Sequence, residues 1–122
     1  TKDMTAAVLS QSFKTYKTQG NYNNEIGLPY TILSMDLDTE VAVLEMGMDR
    51  KGDIELLSTI GRPDVAAVTI IGESHIEYLG SRQGIAEAKM EIVTGLKTDG
   101  TLIIPSNEPL LIPILEKVRY NR

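Results

Sequence analysis

The chain has 122 residues, 42% of them hydrophobic and 24% charged, the size and composition of one globular domain or part of one. Twelve basic residues against seventeen acidic give a net charge of −5, which argues against a nucleic-acid partner held by a basic face. The absence of cysteine removes any disulfide framework or thiolate metal site and fits a cytoplasmic protein. No apolar run approaches the ~20 residues that span a bilayer.

Helical and strand signals alternate along the chain. Residues 1–14 read as a helix with Met4, Val8, Leu9 and Phe13 along one face. A short β-prone piece, 15–18, leads into a Gly- and Asn-rich loop over 20–27. Pro29, at a first helical position, opens a short helix through about Met35. Residues 40–46 (EVAVLEM) form a nearly continuous apolar strand, the pattern of a strand covered on both faces. Asp53 opens a helix that ends near Gly61. A strand over 65–71, a helix over about 81–96, a strand over 101–104 and a last helix follow, with Pro113 in that helix's first turn. The alternation predicts an α/β fold with a mostly parallel sheet and helices on both faces.

Several residues stand where chemistry is expected. Glu45 is the one charge within 41–46, at the carboxyl end of its strand, where ligands of open α/β sheets gather. It is either a metal or ligand contact or a strand-end carboxylate paired with a surface lysine. His75, the only histidine, follows the strand ending at Ile71 and the turn at Gly72. It is either a ligand or a half-exposed, satisfied side chain. Lys89 occupies the stripe of Ile85, Ala88, Ile92 and Leu96, spaced for one helix face. Its stem can pack while the ammonium reaches solvent, or the ammonium can meet a phosphate. His75 and Lys89 would stand about 21 Å apart on one continuous helix at ~1.5 Å per residue. They meet only if the chain turns between them, and Gly80 is the place. Asn21, Asn23 and Asn24 suit turns as well as substrate contacts. No Ser-His-Asp arrangement and no glycine-rich phosphate loop occurs within these residues.

Three tracts together resemble the ATP-dependent Mur ligases of peptidoglycan synthesis. TIIGESHIEYLGSRQGIAEAKMEI (69–92) resembles the family's TN-I-G-x-x-H segment and A-K-x-E-I helix. GNYNNEIGLP (20–29) and EMGMDRKGDI (45–54) are similar to segments of the member acting last in the cytoplasm. Ile70 replaces the usual Asn, and Asp53 the usual Glu. The resemblance implies a P-loop NTPase-like fold, with residues 1–122 an internal piece of the central ATPase domain that lacks its first strand and phosphate loop. Thr1, preceded by no initiator Met or signal-like start, reads as an internal residue.

By the same resemblance the parent protein adds D-alanyl-D-alanine to a UDP-N-acetylmuramoyl tripeptide, using ATP and Mg²⁺. Glu45 and His75 would bind magnesium, and Lys89 would be carbamylated and face the metal as an anion. Asn23 and Asn24 would line the acceptor pocket. Asn107 matches the family's N-x-D-D segment near the adenine, although Glu108-Pro109 replaces the usual acids. Two rivals remain. One is another ligase of the superfamily, such as a folylpolyglutamate synthase, against which the double-Asn loop argues. The other is a non-catalytic module that binds a nucleotide or partner, against which Glu45, His75 and Lys89 together argue. The residues present are expected to be inactive alone and to self-associate through exposed apolar faces.

Overall fold

The computed structural model describes residues 1–72 and 76–120, excluding the side chains of 76, 78, 119 and 120. The chain divides into two compact units, residues 1–47 and 48–122.

The first unit runs α1 (Lys2–Leu9), β1 (Thr15–Lys17), α2 (Gly27–Leu33) and β2 (Val41–Val43). The two strands pair in parallel, Thr15 opposite Val41 and Lys17 opposite Val43. The Thr18 N–H donates to the Val43 carbonyl at 3.0 Å, which carries the ladder past the end of β1. Helix α1 ends five residues short of the expected boundary and lies against both strands. Its buried residue is Ala6, while Met4 and Val8 are 77% and 72% exposed. The small side chain lets the helix backbone approach the strands, so the larger apolar side chains point outward, opposite to the expected orientation. Asp3 pairs with Lys17 and ties the helix to β1.

Helix α2 begins two residues before Pro29, which stands in its first turn. Asn24 sets that start: its Oδ1 accepts the N–H groups of Gly27 (2.8 Å) and Ile26 (3.2 Å). Such a bond satisfies donors that a helix beginning otherwise leaves orphaned. Gly27 cannot be replaced cheaply, because a Cβ there would stand 2.5 Å from the Tyr22 carbonyl carbon.

The second unit runs α3 (Asp53–Gly61), β3 (Val65–Ala67), α4 (Ile76–Leu79), α5 (Arg82–Met90), α6 (Ile92–Gly95), β4 (Thr101–Ile103) and α7 (Ile112–Tyr120). Strands β3 and β4 are parallel, Val65 opposite Thr101 and Ala67 opposite Ile103. The α/β class and parallel pairing are as the sequence predicts. The described strands, however, form two separate pairs and are three residues long. They are not covered on both faces: Ala66 and Val68 are buried, while Val65 and Ile70 are 59% and 65% exposed. Alternation along the strand puts successive side chains on opposite faces, and here one face alone meets the core.

That core joins Val68 and Ile71 to Ile85, Ala86, Met90, Val93 and Leu111. Gly80, at φ +76°, turns α4 into α5, as expected. Ser81 caps α5, its Oγ accepting the Gly84 N–H at 3.1 Å. The expected long helix breaks at Glu91 into α5 and α6. The break lets α6 lie across α3, where a Cβ on Gly95 would stand 2.0 Å from the Ser58 carbonyl. Gly95→Ala must therefore separate two backbones, and overpacking of this kind costs ~1–3 kcal/mol. Urea denaturation should show that loss for Gly95→Ala and a far smaller one for Gly72→Ala, where a Cβ meets nothing.

Candidate functional site

Glu45 lies two residues beyond β2, at its carboxyl end, with its side chain 41% exposed. Three residues of the first unit hold it. Its N–H donates to Thr18 Oγ1 at 2.9 Å, and Thr18 is wholly buried. Asn23 Nδ2 donates to Glu45 Oε1 at 2.9 Å. Lys2 Nζ stands 3.8 Å from Glu45 Oε2 and donates to the Gly20 carbonyl at 2.6 Å. The Lys2 side chain is only 11% exposed, so its charge is largely withdrawn from water and leans on these two acceptors.

Gly47 completes the arrangement. Its N–H donates to the Asn23 carbonyl at 2.8 Å, and a Cβ at 47 would stand 2.9 Å from Asn23 Cγ. The glycine admits the Asn23 amide to the carboxylate. Sequence reasoning marked Glu45 and Asn23 but missed Lys2, Thr18 and Gly47; the Glu45-x-Gly47 spacing was the available signal. Asn24 is brought close in sequence but serves α2, with both side-chain bonds made through Oδ1.

In the second unit the carboxyl end of β3 runs through Ile70 and Ile71. Lys89 Nζ donates to the Ile70 carbonyl at 2.7 Å. Its stem is half-buried, between the fully inward and snorkelling readings, and burial lowers its pKa below the usual lysine range. Arg82 Nη2 donates to the Ile71 carbonyl at 3.1 Å and to Glu108 Oε2 at 3.0 Å. Asn107 is exposed in the turn after β4, beside Glu108. His75 lies outside the described residues. Among the described residues no three His, Asp or Glu side chains converge as a metal site would require. An open groove lined by Thr59, Arg62, Thr94 and Lys97 sits instead near the amino ends of β3 and β4, where Lys97 N–H meets the Pro63 carbonyl. Ligands of parallel α/β sheets gather at the opposite ends, so this groove is not the candidate site.

Glu91, missed at the sequence level, clamps the start of α3. Its Oε1 and Oε2 both accept the Gly52 N–H, at 3.0 and 2.9 Å, and Gly52 holds φ +95°. Burial pushes the Glu91 carboxyl above its usual range, against the backbone hydrogen bonds from Gly52 and Glu55 that lower it. Glu55 raises it further and Lys51 lowers it.

The family model of the Mur ligase middle domain matches residues 1–121. The chain belongs to the Mur ligase family. It is 60% identical over 111 residues to the UDP-N-acetylmuramoyl-tripeptide–D-alanyl-D-alanine ligase of Bacillus subtilis, covering 91% of this chain and 24% of that protein. Against the Escherichia coli ligase of the same name it is 42% identical over 103 residues, 84% of this chain and 23% of that one. Among solved structures, MurF from Acinetobacter baumannii superposes with a TM-score of 0.92 at 34% identity, covering 98% of this chain and 26% of that one. MurF ligase from Thermotoga maritima in complex with ADP gives 0.84 at 36% identity, with 95% and 28% covered. The chain thus spans about a quarter of the length of these relatives.

The raised Glu91 pKa has a definite sign. Between the unfolded value and the higher folded one, the folded chain holds more protons than the unfolded, so stability falls as pH rises through that window. The contribution is complete below the unfolded pKa and gone above the folded one. Urea midpoints of wild type and Glu91→Gln measured from pH 4 to 7 should therefore diverge, the variant gaining on wild type as pH rises. A difference constant with pH would show that Glu91 does not titrate in this way.

Proposed function

We propose that the chain is the middle domain of an ATP-dependent amide-bond ligase that joins D-alanyl-D-alanine to a UDP-N-acetylmuramoyl tripeptide. The observation that carries this reading is the 60% identity to the Bacillus subtilis ligase across 91% of the chain, which includes the 20–29, 45–54 and 69–92 tracts. In the reaction the terminal carboxylate of the tripeptide attacks the γ-phosphorus of ATP, the bond to the β-γ bridging oxygen breaks, and ADP departs. The amine of D-alanyl-D-alanine then attacks the acyl carbon, loses a proton, and expels phosphate to leave the amide. UDP-linked precursors and ATP place this step in the cytoplasm, in the wall synthesis on which cell shape and division depend.

The chain's own groups suit particular parts of that work. Asn23 holds the Glu45 carboxylate in one orientation and, with Asn24, is assigned to the acceptor substrate. Asn107 is assigned to the nucleotide. The partly exposed, hard-oxygen carboxylate of Glu45 fits magnesium, which uses few protein ligands and keeps several waters. Lys89 as an ammonium cannot ligate a cation. Its lowered pKa makes the neutral amine more available to CO₂, and the carbamate so formed would be an anion suited to the metal. Glu45 in the first unit, and His75 and carbamylated Lys89 in the second, are the residues assigned to Mg²⁺, which would neutralise charge on the phosphate and the approaching carboxylate.

In the longer protein carrying this chain, phosphate release from ATP should require both the UDP-linked tripeptide and D-alanyl-D-alanine. Release without D-alanyl-D-alanine at the full rate overturns the assignment. Lys89→Ala should lose most activity and regain part with a small added carboxylate, while Lys89→Arg should stay inactive. Near-wild-type Lys89→Arg would make Lys89 a plain phosphate contact.

The 122-residue chain alone should bind Mg-ATP without useful affinity, because phosphate-cradling amides and a loop lysine supply most triphosphate contacts in such sites. It should also associate through the exposed face of Met4 and Val8. Micromolar binding by calorimetry would refute the first expectation, and a monomeric mass by light scattering the second.

A further inference from the structure

Arg82 takes no part in the reading above, yet it joins three segments of the second unit. It stands at the first residue of α5, whose start is fixed by the Ser81 cap. One nitrogen of its guanidinium reaches both the Ile71 carbonyl beyond β3 (3.1 Å) and Glu108 Oε2 beyond β4 (3.0 Å). Glu108 is the less exposed partner, its side chain 13% exposed against 46% for Arg82. A carboxylate so far withdrawn from water depends on its counter-charge and hydrogen bonds. Its other oxygen, Oε1, accepts the Leu110 N–H at 3.3 Å, and its backbone carbonyl accepts the Leu111 N–H at 3.2 Å. Leu111 is fully buried in the core of this unit.

The turn bearing Asn107 is therefore fastened through Glu108: below by Leu111 in the core, and above by the guanidinium. Both bonds leave one guanidinium nitrogen, Nη2, so a single terminal group holds the strand-end carbonyl and the carboxylate together.

We propose that Arg82 is a positioning residue for nucleotide binding: through Glu108 it holds the 105–110 turn so that Asn107 is presented at the carboxyl edge of β3 and β4. The inference rests on the proposed assignment of Asn107 to the nucleotide. It also gives Glu108, which departs from the family's usual acids, a role in holding the turn rather than in touching the ligand. Arg82 acts before the nucleotide arrives, by limiting the conformations of the turn, so its loss weakens binding while leaving the chemical step alone.

The test uses the longer protein carrying this chain, with Arg82→Met, Glu108→Gln and the double variant. Arg82→Met should raise KM for ATP about tenfold, the factor equivalent to ~1.4 kcal/mol, with kcat close to wild type. The double variant should be no worse than the poorer single one, since the two residues act as one pair. In the protein without nucleotide, exchange of the Leu110 amide hydrogen should quicken in Arg82→Met, a readout independent of turnover. An unchanged KM and unchanged Leu110 exchange overturn the inference while the ligase reading stands. Equal losses in kcat and affinity together with a lowered melting point also overturn it, because they mark a general structural defect. Additive effects of the two substitutions overturn the pairing. A wild-type protein with no ATP-dependent turnover overturns the inference and the ligase reading together.

Discussion

Parallel pairing of short strands is the constraint on which the rest of this structure depends. Two strands that run the same way deliver the residues following them to the same edge. In the first unit that brings Thr18, just past β1, to Glu45, just past β2. In the second it brings Ile70 and Ile71, past β3, to the turn holding Asn107 and Glu108, past β4. Strands of three residues cannot themselves hold a side chain in place beyond their last ladder bond. Polar groups from elsewhere in the chain hold it instead, Asn23 and Lys2 in one unit, Arg82 and Lys89 in the other.

The same economy governs how helices reach the strands. Small residues stand wherever two backbones must approach: Ala6 on α1, Gly95 where α6 crosses α3, and Gly27 beneath Tyr22. At the two glycines an added Cβ would meet backbone rather than the end of a flexible neighbour. The cost falls on the outer sides of α1 and α2, where Met4, Val8 and Leu33 are left exposed.

The charged groups of the second unit show two solutions to partial burial. Glu91 answers it with two contacts to a single amide, and burial still raises its carboxyl pKa. Lys89 answers it with one backbone carbonyl, and burial lowers its pKa toward the reactive neutral amine. In both, burial is the largest cause of the shift.

The sequence by itself determined the α/β class, the order of strands and helices, the turn at Gly80 and the family. It did so because periodicity, glycine turns and the three motif tracts are local signals carried by contiguous residues. It also marked Glu45 by its place at the end of an apolar strand, Lys89 by its place on an apolar helix stripe, and Asn23 and Asn107 through the motif resemblance. Only the tertiary structure decided which face of α1 is buried, that α5 and α6 are separate helices, and that Asn24 accepts the first N–H groups at the start of α2. It alone joined Asn23 to Glu45 across 22 residues, and Arg82 to Glu108 across 26. Hydrogen bonds over such separations leave no periodic trace, because each partner is compatible with many neighbours until the strands fix which loop ends meet. Glycine at 47 and 95 is the same case: the sequence shows a permissive residue, and only packing shows the backbone or amide that would collide with anything larger.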